Sequence, residues 1–197
     1  MVIIKEQSGE KFIMSASVLD IPVKKITGEE TSLGEFKGHV LLVVNVASKC
    51  GLTPQYEGLE NVYEQFKGQG LVVVGFPAND FKAQEPGSDA EIQTFCTANF
   101  GVKFPMFSKI TVVGPEKHPL YVELIAAQPK AISVSEVSWR DKLKGYGIEG
   151  NPEPELLWNF EKFLVSRNGE VVKRFAPDTA PDDPALIAAI EAELARS

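Results

Sequence analysis

Two continuous apolar runs, separated by one helical pattern, limit the folds open to this chain of 197 residues. The runs are HVLLVVNVA at residues 39–47 and LVVVGF at residues 71–76. Uninterrupted Val and Leu are typical of strands covered on both faces, as in parallel sheets. Between the runs, Leu59, Val62 and Phe66 recur at helical spacing. The three segments therefore predict a right-handed parallel crossover of strand, helix and strand.

The ends of the crossover helix and the segment before it carry ordinary start and turn signals. Thr53 and Pro54 are the expected cap and first turn of the helix. Upstream, residues 18–38 read as a short hairpin with turn residues at Thr27 and Gly28.

The second half of the chain continues the alternation. SDAE at residues 88–91 has the Ser-x-x-Glu form of a capping box and opens a helix. The remaining predicted elements are a strand within 104–113, a helix at 118–127, a hairpin at 160–175 with its turn at Asn168-Gly169, and a closing helix from 183 to 194. Parallel strands followed by a hairpin imply a central mixed β-sheet flanked by helices, which is an α/β, thioredoxin-like fold.

Composition excludes several classes of function. A net charge of −7 without a Lys/Arg cluster argues against nucleic acid as a partner. The longest apolar run, at 40–44, is too short for a transmembrane segment. Two cysteines and no Asn-x-Ser/Thr site fit a reducing cytoplasm.

We expect a single domain over residues 18–197. Residues 1–17 lack the pattern of a secretory signal, which is a basic start followed by a sustained apolar block. We expect them to be a poorly structured leader outside this domain. It is either an addition to the natural chain or a stretch upstream of a start at Met14.

Cys50 lies in the loop that follows the first apolar run and leads into a helix. Open α/β sheets place their binding sites beyond the carboxyl ends of strands, and a helix N-terminus stabilises a thiolate. Lys49 adds to that stabilisation, and Gly51 allows the backbone to approach the sulfur. The position leaves two interpretations open: a nucleophile, or a buried thiol that packs as a small hydrophobe.

Other cysteine chemistries fit the sequence less well. Two cysteines with the distant His39 and His118 are too few for a zinc site, and no metal or other cofactor is expected. Thr53 excludes a Cys-x-x-Cys oxidoreductase, and neither histidine lies in a recognisable hydrolase motif. Peroxide reduction remains, because it requires a thiolate and neutral donors such as indole and amide N–H groups.

Four segments of the chain resemble the glutathione peroxidase family in its cysteine form. They are NVASKCGLTPQY, GFPANDFKAQEPGS, VKFPMFSKI and WNFEKFLV, and the resemblance runs in order from about residue 18 to the end. It implies that Cys50 is the peroxidatic residue and that Gln84, Trp158 and Asn159 complete a catalytic tetrad. The reaction implied is the reduction of hydrogen peroxide and organic hydroperoxides at the expense of a thiol, through a cysteine sulfenic acid.

The chain departs from the family pattern at two positions, with Ala78 in place of cysteine and Asp80 in place of glutamine. Neither position belongs to the tetrad, so we expect the peroxidase chemistry to persist. A carboxylate at Asp80 would destabilise a nearby thiolate and slow its attack.

Cys96 has two interpretations. Periodicity alone places it on the inner face of the helix at 88–100, as a core thiol. Its spacing from Cys50, 96 − 50 = 46 residues, resembles that of the resolving cysteine in thioredoxin-dependent family members. On that likeness, Cys96 attacks the Cys50 sulfenic acid and thioredoxin reduces the resulting disulfide, while glutathione stays open as the alternative reductant. A disulfide needs Cα atoms within about 7 Å, so we expect separated sulfurs in the reduced fold and partial unwinding of the helix to close the bond.

Two further hypotheses stay open beside the peroxidase. The chain could be a peroxide sensor that passes its oxidised state to a partner protein, or a thioredoxin-fold binding module with an inert thiol. Residues 128–157 form an unusually long connection. A resemblance to oligomeric members predicts a homodimer or tetramer through this segment, with a self-packed or flexible loop as the alternative.

Overall fold

The fold is built from eight short strands and five helices within the part of the chain that the computed structural model describes, residues 4–7, 10–13 and 17–196. The strands are β1 (Ile4–Gln7), β2 (Glu10–Ile13), β3 (Pro22–Lys24), β4 (Glu30–Ser32), β5 (Val40–Val46), β6 (Leu71–Pro77), β7 (Lys162–Val165) and β8 (Val171–Phe175). The helices are α1 (Gln55–Phe66), α2 (Asp89–Phe100), α3 (Pro119–Ala127), α4 (Trp139–Gly145) and α5 (Pro184–Ala195).

A four-stranded mixed sheet in the order β6-β5-β7-β8 forms the centre. β5 pairs parallel with β6 across α1, and antiparallel with β7, which forms a hairpin with β8. Every residue of β5 and β6 is buried, as the uninterrupted apolar runs predict. The predicted α/β class, mixed sheet and terminal hairpin are confirmed.

The helices cover the sheet with the faces that their apolar spacing predicts. α1 buries Leu59, Val62 and Phe66. The capping box of α2 is complete, since the Ser88 hydroxyl accepts from the Glu91 amide and the Glu91 carboxylate accepts from the Ser88 amide. No helix in the described part of the chain is long and apolar enough to cross a membrane.

The strand predicted within residues 104–113 is wrong. Met106 and Phe107 form only isolated bridges, because the backbone hydrogen bonds of this segment are divided between two elements. Gly75 of β6 bonds to Pro105 and Phe107, while the Met106 carbonyl accepts from the amide of Ile26. A Cβ at Gly75 would lie 2.5 Å from the Met106 sulfur, so a larger residue there would require the Met106 side chain to move.

The long connection at 128–157 carries structure of its own. It contains α4, whose N-cap Ser138 accepts a hydrogen bond from the Asp141 amide. Lys142 of α4 forms an ion pair of 2.6 Å with Asp178. The segment therefore contains a short helix and packs on the rest of the chain through at least this ion pair.

Two hairpins precede the central sheet. The predicted turn at Gly28, with φ 93°, joins β3 to β4. β1 and β2 also pair antiparallel, inside the segment that we expected to be poorly structured.

Candidate active site

Cys50 lies in the loop between β5 and α1, and its side chain is 8% exposed. The backbone amide of Leu52 donates a hydrogen bond to Cys50 Sγ at 3.3 Å. Thr53 closes the loop, because its Oγ1 accepts from the Cys50 amide at 3.0 Å and donates to the Ala47 carbonyl at 2.8 Å. The sulfur is thus held just before the start of α1 with an amide donor directed at it.

One sequence expectation for this loop is wrong. Thr53 does not cap α1, whose N-cap is Pro54 without a side-chain hydrogen bond, because the threonine hydroxyl is used within the Cys50 loop.

Gln84 lies on the loop that follows β6. Its backbone carbonyl accepts a hydrogen bond from the Lys49 amide at 3.0 Å, which joins this loop to the residue before Cys50. The preceding Lys82 and Ala83 have φ values of 54° and 52°. Two consecutive non-glycine residues in the left-handed region are uncommon and are typical of backbones held in place at functional sites.

Trp158 and Asn159 lie just before β7 and are both buried. Asn159 Nδ2 donates to Gln84 Oε1 at 2.9 Å. The indole of Trp158 packs on Phe81, with ring centroids 5.4 Å apart. Phe160 follows with φ 67°, another buried residue in the left-handed region.

The segment that carries Trp158 and Asn159 is fixed to β5 by Asn45. Asn45 Nδ2 donates to the Trp158 carbonyl at 3.1 Å, and its Oδ1 accepts from the Glu161 amide at 3.1 Å. The Asn45 carbonyl also accepts from the Phe160 amide at 2.7 Å. All three bonds cross from the strand that precedes the Cys50 loop.

A direct hydrogen bond therefore joins two of the four residues of the expected tetrad, and the other two are linked to them through chain neighbours. Asn159 bonds to Gln84, Gln84 bonds to the residue before Cys50, and Trp158 is adjacent to Asn159. Of the two residues that hold these segments, Asn45 was not singled out from the sequence, and Thr53 was not assigned a role in holding the Cys50 loop. A polar residue within an otherwise apolar strand was the available signal for Asn45, whereas Thr53 resembled an ordinary helix start.

Two carboxylates near the site have perturbed acidity. Burial raises the pKa of Asp80, and the hydrogen bond from the Val112 amide, at 2.8 Å, opposes that shift. Burial also raises the pKa of Glu85, which Ser48 and Lys109 partly offset. Asp80, which stands where the family pattern has glutamine, therefore connects its loop to the backbone of Val112 through its carboxylate.

A cleft of about 420 Å³ opens beside the Cys50 loop. Its lining includes the exposed Lys49 and the side chains of Ile92 and Phe95 on α2. The carboxyl groups of Glu85 and Glu91 also line the cleft, so it combines one cation and two acidic groups with an apolar wall, and Cys50 is not among its lining residues.

A family model, glutathione peroxidase, matches residues 18–125. The chain is 52% identical over 183 residues to the thioredoxin/glutathione peroxidase BtuE of Escherichia coli (strain K12), covering 93% of this chain and 100% of that protein. The chain belongs to the glutathione peroxidase family. It is also 44% identical, over 171 residues, to the hydroperoxy fatty acid reductase gpx1 of Synechocystis sp., covering 86% of this chain and 88% of that protein.

Solved structures agree with this assignment to the glutathione peroxidase family. The crystal structure of Trgpx in apo form superposes with a TM-score of 0.65 at 34% identity, covering 91% of this chain and 96% of that chain. The structure of T. cruzi GPX1 gives a TM-score of 0.62 at 31% identity, over 92% and 100% of the two chains. The chain is an enzyme, a thiol-dependent peroxidase with a thioredoxin-like fold.

The second cysteine of this glutathione peroxidase lies within intact helix. Cys96 is 1% exposed on α2, and both thiols are free. Burial raises the pKa of Cys96 to about 11, while the hydroxyl of Tyr56 next to it opposes the shift. A buried thiol of such weak acidity is a poor nucleophile as long as α2 stays folded.

Proposed function

We propose that Cys50 is the peroxidatic residue and that Gln84, Trp158 and Asn159 are its hydrogen-bonding partners during the reaction. One observation supports this proposal most directly: Asn159 binds Gln84, whose backbone binds the residue before Cys50, while the Leu52 amide donates to the sulfur. These neutral N–H donors stabilise negative charge on sulfur and on a departing oxygen without taking up a proton.

In the proposed reaction, the Cys50 thiolate attacks one oxygen of the hydroperoxide and the O–O bond breaks. The leaving oxygen takes a proton and departs as an alcohol or as water. Cys50 becomes a sulfenic acid, so the sulfur is oxidised by two electrons and the peroxide is reduced by two.

We further propose that Cys96 resolves this sulfenic acid. The Cys96 thiolate attacks the Cys50 sulfur, water leaves, and an intramolecular disulfide forms. An external dithiol of the thioredoxin type then reduces the disulfide. The burial of Cys96 within α2 supports a local unwinding of this helix before the bond can form.

Glutathione is the alternative reductant. In that route one glutathione captures the sulfenic acid with loss of water, and a second releases glutathione disulfide. The printed name of the Escherichia coli relative includes both thioredoxin and glutathione, which supports testing the two donors side by side.

Steady-state peroxide consumption tests the proposal with wild type, Cys50→Ser and Cys96→Ser. We expect Cys50→Ser to lose turnover with both reductants, because a hydroxyl does not supply the nucleophile. Cys96→Ser should lose turnover with thioredoxin while its single-turnover oxidation by peroxide remains. Substantial activity in Cys50→Ser would refute the assignment, and full thioredoxin activity in Cys96→Ser would make Cys96 a core residue only.

We also propose that the chain forms a homo-oligomer through residues 128–157 and acts in the cytoplasm. Val134, Val137 and Tyr146 of this segment are 37%, 53% and 75% exposed, and exposed apolar side chains of this size favour a partner surface. A chain with two cysteines has no disulfide scaffold of the kind found in secreted domains, which supports a reducing compartment. Light scattering at micromolar concentration tests the first point, and a monomeric mass would contradict it.

The proposed peroxidase unit is residues 18–197. The central sheet and the described helices lie within these bounds. Removal of residues 1–17 should therefore leave the turnover number unchanged, and a large loss of activity would show that the leader takes part in the enzyme.

A further inference from the structure

Lys162 of β7 is buried with 0% exposure in the central sheet, and burial lowers the pKa of its ammonium group to about 7, while the charges of Asp178 and Glu161 oppose that shift. Its Nζ donates to Gln55 Oε1 at 2.6 Å, to the Pro177 carbonyl at 2.9 Å and to the Thr179 carbonyl at 2.6 Å. These three bonds use all the donors of an ammonium group. An ammonium group is costly to bury unless such bonds satisfy it, so the three acceptors favour the protonated form that burial opposes.

The nearby carboxylates are engaged elsewhere. Asp178 forms an ion pair with Lys142 at 2.6 Å, and Glu161 forms one with Arg174 at 2.7 Å. Among the described residues, the side chain that accepts a hydrogen bond from Lys162 Nζ is therefore that of Gln55.

Gln55 is the first residue of α1 and connects Lys162 to the Cys50 loop. Its Nε2 donates to the Pro177 carbonyl at 2.8 Å, so its side chain is fixed at both polar atoms. Its backbone amide donates to the Leu52 carbonyl at 2.9 Å. The Leu52 amide in turn donates to Cys50 Sγ at 3.3 Å.

We propose that Lys162 is a positioning residue for the Cys50 thiolate. By holding Gln55, it keeps the turn from Cys50 to Gln55 in the geometry that directs the Leu52 amide at the sulfur. A donor bonded to the charged form favours that form, so displacement of this turn reduces the fraction of thiolate. The inference rests on the proposed role of Cys50 as the reacting thiol.

The variants Lys162→Met and Gln55→Met test this connection in the full-length protein. The readouts are the rate of Cys50 alkylation by iodoacetamide, assigned by peptide mapping, and thiolate absorbance at 240 nm between pH 5 and pH 9. We expect each variant to lower the alkylation rate at pH 6 by about fivefold. Well below the pKa of a thiol, the thiolate fraction falls tenfold for each unit by which that pKa rises, so a fivefold loss corresponds to a rise of somewhat less than one unit. The double variant should show no further loss, because the two residues act through one contact.

Gln128→Met is a matched control. Gln128 Nε2 bridges the end of α3 to β8, donating to the Val171 and Val172 carbonyls at 3.1 and 3.2 Å. The control removes the same kind of helix-to-strand amide bond outside the Cys50 loop, and its alkylation rate should equal that of wild type.

Three results would overturn the positioning role: an unchanged rate in folded Lys162→Met, an additive loss in the double variant, or an equal loss in Gln128→Met. If Lys162→Met does not fold, Gln55→Met alone decides, since an unchanged rate there breaks the connection. Failure of the proposed function gives a different result. Peroxidase activity in Cys50→Ser would refute the assignment of Cys50 as the peroxidatic residue, while the alkylation rates would still report whether Lys162 positions the Cys50 thiol.

Discussion

Asn45 and Trp158 are joined by a hydrogen bond of 3.1 Å from the Asn45 side-chain amide to the Trp158 carbonyl. The same side chain accepts from the Glu161 amide, so one buried residue of β5 satisfies two backbone groups of the segment before β7. Because Trp158 and Asn159 lie in that segment, Asn45 fixes their path relative to the loop that carries Cys50.

Asn45→Leu should destabilise the fold and slow the enzyme. The substitution has a similar volume but leaves the Trp158 carbonyl and the Glu161 amide without their partners. A buried unsatisfied group costs about 1–3 kcal/mol, so we expect a loss of about 3 kcal/mol in the free energy of unfolding. Urea denaturation measures the loss. Asn61→Leu, at an exposed position of α1, should change stability by no more than about 0.5 kcal/mol.

Trp158→Phe should keep the fold and lower the second-order rate with peroxide. The phenyl ring retains the packing on Phe81, whereas the indole N–H donor is lost. Removing one donor from a developing anion reduces rates by about a hundredfold in well-studied enzymes, and we expect at least a tenfold loss here. Stopped-flow oxidation measures the rate. Trp139→Phe, on α4, is the matched control, and equal rates in the two variants would remove Trp158 from the site.

The sequence predicts the sheet and its helices well because their signals are local and redundant. β5 and β6 are continuous apolar runs, and α2 begins at a Ser-x-x-Glu box. The prediction of a strand at 104–113 failed because the apolar pattern of this segment is that of a strand, whereas its backbone forms hydrogen bonds to two different elements. Periodicity reports which residues are buried but not which backbone partners are within reach.

The site residues also differ in how far local sequence signals identify them. Cys50 was identified from its position after a strand. Gln84, Trp158 and Asn159 needed the family resemblance, because each alone fits a turn or core residue. Thr53 and Asn45 act through bonds to distant or non-helical backbone atoms. No pattern of neighbouring residues encodes such contacts, so only the folded structure reveals them.

Thr53→Val should loosen the Cys50 loop. Valine keeps the shape but loses the acceptor for the Cys50 amide and the donor to the Ala47 carbonyl. We expect a stability loss of about 1–3 kcal/mol and a slower reaction with peroxide. Thr53→Ser keeps the hydroxyl and should retain most of the rate. Equal rates in Thr53→Val and wild type would show that the reaction does not depend on the two hydrogen bonds of the Thr53 hydroxyl.

Cys96 should make folding stability depend on pH in the alkaline range. Burial raises its pKa from 9.0 to about 11, so between these values the unfolded chain binds fewer protons than the folded one. The contribution is therefore complete below pH 9 and is lost as pH rises toward 11. Relative to Cys96→Ala, wild type should lose about 2–3 kcal/mol across this range, as measured by urea denaturation at each pH. Parallel stability curves for the two proteins would contradict the shift.

Ser88→Ala should accelerate the formation of the Cys50–Cys96 disulfide. Ser88 caps α2, accepting from the Glu91 amide at 3.3 Å, and Cys96 is buried within this helix. Loss of an N-cap costs about 1 kcal/mol, which raises the population of locally unwound helix about fivefold. If unwinding limits the resolving step, the disulfide should form about fivefold faster after one equivalent of peroxide.

Non-reducing peptide mapping after timed acid quench measures this rate, and trapping of the sulfenic acid measures the preceding oxidation separately. Ser138→Ala is the matched control, because Ser138 caps α4 through the Asp141 amide at 3.2 Å and α4 carries neither cysteine. It should lose similar helix stability without changing the resolving rate. If Ser88→Ala also leaves that rate unchanged while oxidation proceeds normally, then opening of the first turn of α2 does not limit the reaction, and Cys96 reaches Cys50 by a movement that begins elsewhere in the helix.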